Sequence, residues 1–332
     1  MDAPIEGMAT FKRALVGYVK HPNFAHIVVV GLGCEIKNLG DLLDGHPGDS
    51  LSIQEQGGTP ATVAACIKRV EAALVQANKV VREPVPLREL KLAMQCGGSD
   101  GHSGISCNPA LGYAVDLLVR HGGTAILSET TECYGAEHVL TARAANPEVG
   151  QKLVERIKWW ESFAASRGLV INNNPSPGNK AGGLTTIIEK SLGSIAKGGT
   201  TNLNEVYNYA EPVAAGKGLV FMDAPSFDPV GATAQVAGGA NVMVFTTGRG
   251  SAFGCKPTPS IKLIDNTPMY HKMEDDIDIN TGTILEGAET VKQSGEKIFA
   301  RIVAVASGER TKSELLGYGE EEFCPWDLGV ML

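Results

Sequence analysis

Apolar runs alternate with helical periodicities along most of this chain. Residues 26–30 (His-Ile-Val-Val-Val) form a β-branched run that predicts a strand ending at Gly31-Leu32-Gly33. From Thr59 to Ala77, Val63, Ile67, Val70 and Leu74 recur at helical spacing and predict an amphipathic helix. Pro84 and Pro86 mark a connection, and Leu90 to Met94 reads as a second strand. Ala110 to Arg120 predicts a helix with Leu111, Val115 and Leu118 on one side, closed by Gly122-Gly123. Thr124 to Leu127 predicts a third strand. Beyond it come a helix over 149–166 carrying Trp159 and Trp160, a short strand over 169–171, and a helix over 184–195. Further strands are predicted at 219–222, 242–245 and 261–264. This rhythm predicts an α/β chain built as two α/β domains with mostly parallel sheets, the second Rossmann-like. The break is expected near residue 168, giving domains 1–168 and 169–332. Ligands in such sheets bind beyond the carboxyl ends of the strands.

Composition narrows the function classes. The chain has 332 residues, 43% hydrophobic and 20% charged, enough for a substantial core. Net charge is −8, and no Lys/Arg run suggests a nucleic-acid surface. Seven scattered cysteines with no Cys-x-x-Cys pair argue for a reducing compartment, and a cytoplasmic protein is expected. No apolar run approaches membrane-spanning length, so no membrane partner is expected. Gly31-Leu32-Gly33 lacks the third glycine of a dinucleotide fingerprint, and Gly193 to Thr200 has glycine where a P-loop needs lysine.

Candidate chemistry gathers at predicted strand ends. Cys96 to Pro109 follows one strand and opens a helix. Its Gly97, Gly98, Ser99, Asp100 and Ser103 suit an oxyanion or metal site. Cys34 and Glu35 end another strand, as soft and hard metal ligands or as buried structural residues. Glu129, Glu132 and His138 follow a third; two carboxyls and an imidazole can divide acid and base work or hold a divalent ion. Arg143 is a candidate for a substrate carboxylate, and Asn179 and Lys180 sit in a Pro/Gly-rich loop suited to substrate contact. Thr247, Gly248 and Arg249 form an anion nest with a guanidinium, and Lys256 follows.

These residues resemble a known family. Cys96-Gly97-Gly98-Ser99-Asp100-Gly101, Ser103-Gly104 and Asn108 to Gly112 are similar to the hallmark of the altronate/galactarate dehydratases, which sulfolactate sulfo-lyase large subunits share. The likeness continues through His21 to Phe24, Gly31 to Glu35, Tyr134 to His138, 174–183, 246–254, 256–262 and Glu322 to Trp326, about residues 14 to 329. The resemblance implies a metal-dependent hydro-lyase acting on a sugar acid. It would remove the proton α to a carboxylate and expel the β-hydroxyl, giving a 2-keto-3-deoxy acid. It implies a divalent metal, Fe²⁺ or alternatively Mn²⁺ or Mg²⁺, with Asp100, Cys34 and Glu35 as ligand candidates. It points to Glu129, Glu132 and His138 as acid–base groups. Family members carry a further segment before the His21 block, and many a small substrate-lid domain. The resemblance leaves open an impaired or truncated chain or a small lid subunit as partner, and a homo-oligomer is expected. Two alternatives stand beside this reading: a carbon–sulfur lyase of the sulfolactate type, and a non-catalytic subunit.

Overall fold

The structure is a computed structural model and describes residues 3–34, 46, 48–320 and 322–326. Among the described residues nine strands run in chain order: β1 (Ile27–Gly31), β2 (Gly48–Ser52), β3 (Lys91–Cys96), β4 (Thr124–Leu127), β5 (Leu203–Tyr207), β6 (Gly218–Met222), β7 (Val242–Thr247), β8 (Ser260–Ile264) and β9 (Ile279–Asn280). The helices of ten or more residues among them are α1 (Ala3–Val19), α2 (Thr59–Ala77), α3 (Cys107–Arg120), α4 (Pro147–Ser166), α5 (Ile187–Ala196), α6 (Asp228–Ala237) and α7 (Val291–Ala306).

β1 and β2 pair in parallel as a small sheet, with α2 against them. The other seven strands form one parallel sheet in the order β5-β6-β4-β3-β7-β8-β9. The α/β class and the parallel pairing agree with the expectation. This large sheet takes β3 and β4 from before residue 168 and its other strands from after it.

Both faces of the large sheet are covered, which is why its inner strands are mostly apolar. Leu92, Met94, Phe221, Val244 and Leu263 pack on one face against Leu111, Val115 and Leu118 of α3 and Ile298 and Ile302 of α7. Ala93, Ile126, Met222, Met243 and Phe245 point the other way, toward Val230 and Ala234 of α6, Ala14 of α1 and Trp160 of α4.

The chain leaves β3 for β4 on one side, whereas β7 lies on the other side and continues outward to β8 and β9. The order of the strands therefore reverses between β3 and β7, and their carboxyl ends border a crevice. That is where open α/β sheets bind ligands.

Two local expectations change. Residues 169–171 do not pair as a strand; a 3-10 turn occupies Ile171–Asn173. The Asn172-Asn173-Asn174-Pro175 run favours turns and offers no β-branched pairing surface. Helix α2 forms as expected, but its apolar stripe does not face a core: Val63, Ile67, Val70 and Leu74 are all exposed.

Candidate active site

The loops that follow β3 and β7 are stitched together across the crevice. Gly97 N donates to Thr246 O at 3.0 Å, and the Gly248 and Arg249 amides both donate to Gly98 O, at 3.1 and 2.9 Å. Two glycines make this approach feasible. A Cβ on Gly97 would collide with the Asp228 carboxyl, and one on Gly248 with the Asp100 carboxyl. Asn179 Nδ2 donates to Ser99 O at 2.8 Å, tying the Pro/Gly-rich loop to the same wall.

Behind the β3 loop lies a buried charge cluster. Cys96 ends β3, and its thiol faces Glu129 Oε2 at 3.4 Å and Glu132 Oε2 at 3.2 Å. Glu129 holds a left-handed backbone, φ 73°, a conformation that costs an L-residue roughly 1 kcal/mol or more. The turn is pinned by Thr130 N to Ala224 O at 2.9 Å and by Thr130 Oγ1 to Asp223 Oδ1 at 2.5 Å. Lys197, fully buried, donates from Nζ to Cys96 Sγ at 2.8 Å and to Glu129 Oε2 at 3.1 Å. Lys190 Nζ lies 2.7 Å from Glu132 Oε1.

The two carboxyls are driven apart. Burial, then the neighbouring Glu132, push Glu129 up to about 8. Burial also opposes ionisation of Glu132, but Lys190 and then Lys197 outweigh it and hold that carboxyl below its ordinary value. Burial and the two carboxylates raise the Cys96 thiol well above the usual range, so it stays protonated. Burial, then Glu132, lift Asp228 to about 6. A pair of neighbouring carboxyls with opposite shifts is the arrangement that separates an acid from a base.

A second cluster stands on the other side of the β3 loop. Asp265 follows β8, and Ser103 Oγ donates to its Oδ2 at 2.5 Å. Asp100 Oδ1 accepts from His102 N at 2.8 Å. Ligand atoms of Asp100, His102 and Asp265 all lie within 4.8 Å of one another. Burial, then the neighbouring Asp100 carboxyl, push Asp265 up to about 7.

Two cavities flank the loop and share Asp100. One, of about 260 Å³, is bordered by Cys96, Ser99, Ser103, Asn108, Glu132 and Lys190 among others. The other, of about 430 Å³, has Asp100, His102, Gly248, Arg249 and Asn266 in its wall.

Not every expected residue gathers there. His138 is exposed, and neither cavity wall includes it. Arg143 is used structurally: Nη1 donates to Gly199 O at 2.6 Å and to Thr201 O at 2.7 Å. Lys180 is exposed, and Lys256 pairs with Glu320 at the surface. Cys34 is exposed, while Glu35 lies outside the described residues. Conversely, Lys190, Lys197, Asp228 and Asp265 are site residues that the sequence reading passed over. Asp265 had a legible signal, an acid directly after a strand; the lysines had none, since helical lysines are usually solvated.

The donor sets differ in their fit to a divalent ion. Cys96, Glu129 and Glu132 also cluster within 4.8 Å, but the Lys197 ammonium already touches two of them and Lys190 the third. A further cation there would meet two resident positive charges. Asp100, Asp265 and His102 supply oxygen and imidazole donors with no lysine among their contacts to the described residues, and a cation would relieve the charge repulsion that raises Asp265.

Known proteins match the chain over most of its length. Residues 87–331 match the family described as D-galactarate/Altronate dehydratase, C-terminal, and residues 2–78 the one described as D-galactarate dehydratase/Altronate hydrolase, second domain. The chain is 42% identical to galactarate dehydratase (L-threo-forming) of Escherichia coli over 87% of its own length and 58% of that protein. It is 37% identical to altronate dehydratase of Bacillus subtilis, over 91% of this chain and 61% of that protein. It is 31% identical to (2R)-sulfolactate sulfo-lyase subunit beta of Chromohalobacter salexigens, over 93% of this chain and 80% of that protein. The chain thus spans about three fifths of the length of the two dehydratases. With both family regions matched in order and the β3 loop at the centre of the crevice, the chain belongs to the D-galactarate/altronate dehydratase family.

Proposed function

We propose that this chain is a metal-dependent hydro-lyase that dehydrates a sugar acid of the galactarate or altronate type to a 2-keto-3-deoxy acid. The observation that carries the reading is the carboxyl pair with opposite shifts, Glu129 raised and Glu132 lowered, at the edge of a cavity walled by the β3 loop. Glu132 borders the cavity and is ionised at neutral pH, so it is the group to accept the α-proton. Glu129, protonated and fully buried, holds the second proton behind it. Ser99, Ser103 and Asn108 offer partners for substrate hydroxyls along the same wall. Arg249 and the Gly248 loop, on the far side of Asp100, suit a carboxylate. Asp100, Asp265 and His102 would hold the divalent ion, Fe²⁺ or Mn²⁺, whose contribution is Lewis-acid stabilisation of the charge that develops on the substrate carboxylate. A small substrate-lid subunit and self-association belong to the same proposal.

The sulfolactate type is the second reading, because that relative is covered over 80% of its length, more than either dehydratase. One experiment tests both. The purified chain is loaded anaerobically with Fe²⁺ or Mn²⁺ and offered galactarate, altronate and sulfolactate, with and without a small lid subunit. A 2-keto-3-deoxy acid supports the first reading and sulfite release the second. No turnover of any of the three overturns both and leaves a non-catalytic subunit.

A further inference from the structure

Two ammonium groups from one helix meet the carboxyl pair. Lys190 lies in α5, and Lys197 caps its carboxyl end seven residues on, two helical turns away and on the same side. Lys190 has three N–H donors and three acceptors in reach: Glu132 Oε1 at 2.7 Å, Asn174 Oδ1 at 2.8 Å and Asn179 Oδ1 at 3.3 Å. Its donors are therefore committed to the protein, and none is left over for a substrate. Asn179 also donates to Ser99 O, so the same amide side chain links Lys190 to the β3 loop. The groups facing Glu132 are Cys96 from β3, Glu129 and Cys133 from its own segment, Lys190 and Lys197 from α5, and Asp228 from α6. Of the two cations, Lys190 touches Glu132 itself, whereas Lys197 touches Cys96 and Glu129.

We propose that Lys190 is a positioning residue: with its ammonium donors spent on protein acceptors rather than on substrate, it holds Glu132 ionised and aimed at the cavity, and so makes Glu132 rather than Glu129 the proton acceptor. The catalytic consequence rests on the hydro-lyase reading; the charge state of Glu132 does not. Burial opposes ionisation of both carboxyls; at Glu132 the direct Lys190 contact, with Lys197 behind it, outweighs burial, whereas at Glu129 burial and the Glu132 charge prevail over the lysines.

The test compares wild type, K190M, K190R and E132Q, each loaded with Mn²⁺ and checked for folding by circular dichroism. In K190M the acid limb of the kcat/KM pH profile moves up by about one unit or more and kcat falls ~100-fold, with KM within ~threefold. K190R keeps the wild-type limb. An infrared titration gives a readout that needs no turnover: a protonated-carboxyl band is present at pH 7 in K190M, absent in wild type, and removed in the double variant K190M/E132Q. If K190M does not fold, K190Q carries the same expectations. An unmoved limb, an unchanged infrared band, or a raised KM at constant kcat overturns the proposal. If wild type turns over none of the three acids, the hydro-lyase reading falls, and the infrared comparison decides the role of Lys190 without it.

Discussion

Replacing Glu129 with glutamine changes the pH dependence of stability in a calculable way. Glu129 is fully buried and its carboxyl is raised from 4.5 to about 8. The native state therefore binds this proton more tightly than the unfolded chain. Glu129's contribution is fully present below the unfolded value and is lost as the pH rises through the folded one. In that window the slope approaches ~1.4 kcal/mol per pH unit. Between pH 6 and 8 the wild type should lose about 2 kcal/mol through this group, less than two full units because titration is half complete at the upper end. Glutamine has no proton to lose. Asp265, raised to about 7, titrates in both proteins and drops out of the difference, whereas Asp228, raised to about 6, is itself one of the charges that raise Glu129. Urea unfolding of E129Q and wild type at pH 6, 7 and 8 should show the balance shifting toward the variant by about 2 kcal/mol. A difference that stays flat within about 0.5 kcal/mol, or moves the other way, would refute a proton stored on Glu129.

Other substitutions separate the roles of the surrounding groups. Asp265→Asn should weaken Mn²⁺ binding at least ~10-fold by calorimetry, because one of two carboxylate donors is lost. Equal affinity would take Asp265 out of the ion site. Gly97→Ala should lower stability by ~1–3 kcal/mol or more in a thermal melt, since its methyl meets the Asp228 carboxyl and the Phe245 ring. An unchanged melting temperature would contradict that close approach. His138→Asn should leave turnover within ~twofold of wild type, as an exposed side chain outside both cavity walls offers no proton path. A ~100-fold loss would restore it as an acid–base group.

Much of the large sheet was legible because burial on both faces makes β3, β4, β6 and β7 mostly apolar, and β8 keeps Ile261, Leu263 and Ile264 around Lys262. β5 was not. It lies at the sheet edge with an irregular register, and Asn204 and Glu205 interrupt its apolar pattern. The β9 pairing spans two residues, too short for any period. At the site, the anchors that lie in strand-end loops were found: the Cys96 loop, Glu129, Glu132 and the Arg249 loop all follow an apolar run. Arg143 and His138 drew attention for their chemistry alone, and the fold turned one into a loop clamp and left the other exposed.

Local order along the chain was enough to specify an α/β chain, parallel pairing, and glycine-rich loops carrying acids at strand ends. Those features depend on side-chain periodicity and turn chemistry, which act over a few residues. The partnership of each acid was settled in three dimensions. Glu129 and Glu132 are three residues apart and chemically alike, yet one is raised and the other lowered: at Glu132 the lysines of α5, Lys190 foremost, outweigh burial, whereas at Glu129 burial and the Glu132 charge outweigh the same lysines. Asp100 acquires its second carboxyl from Asp265, at the end of a strand far along the chain. Coulomb and desolvation energies depend on distance through space and on burial, and neither quantity is written in the spacing of residues along a sequence.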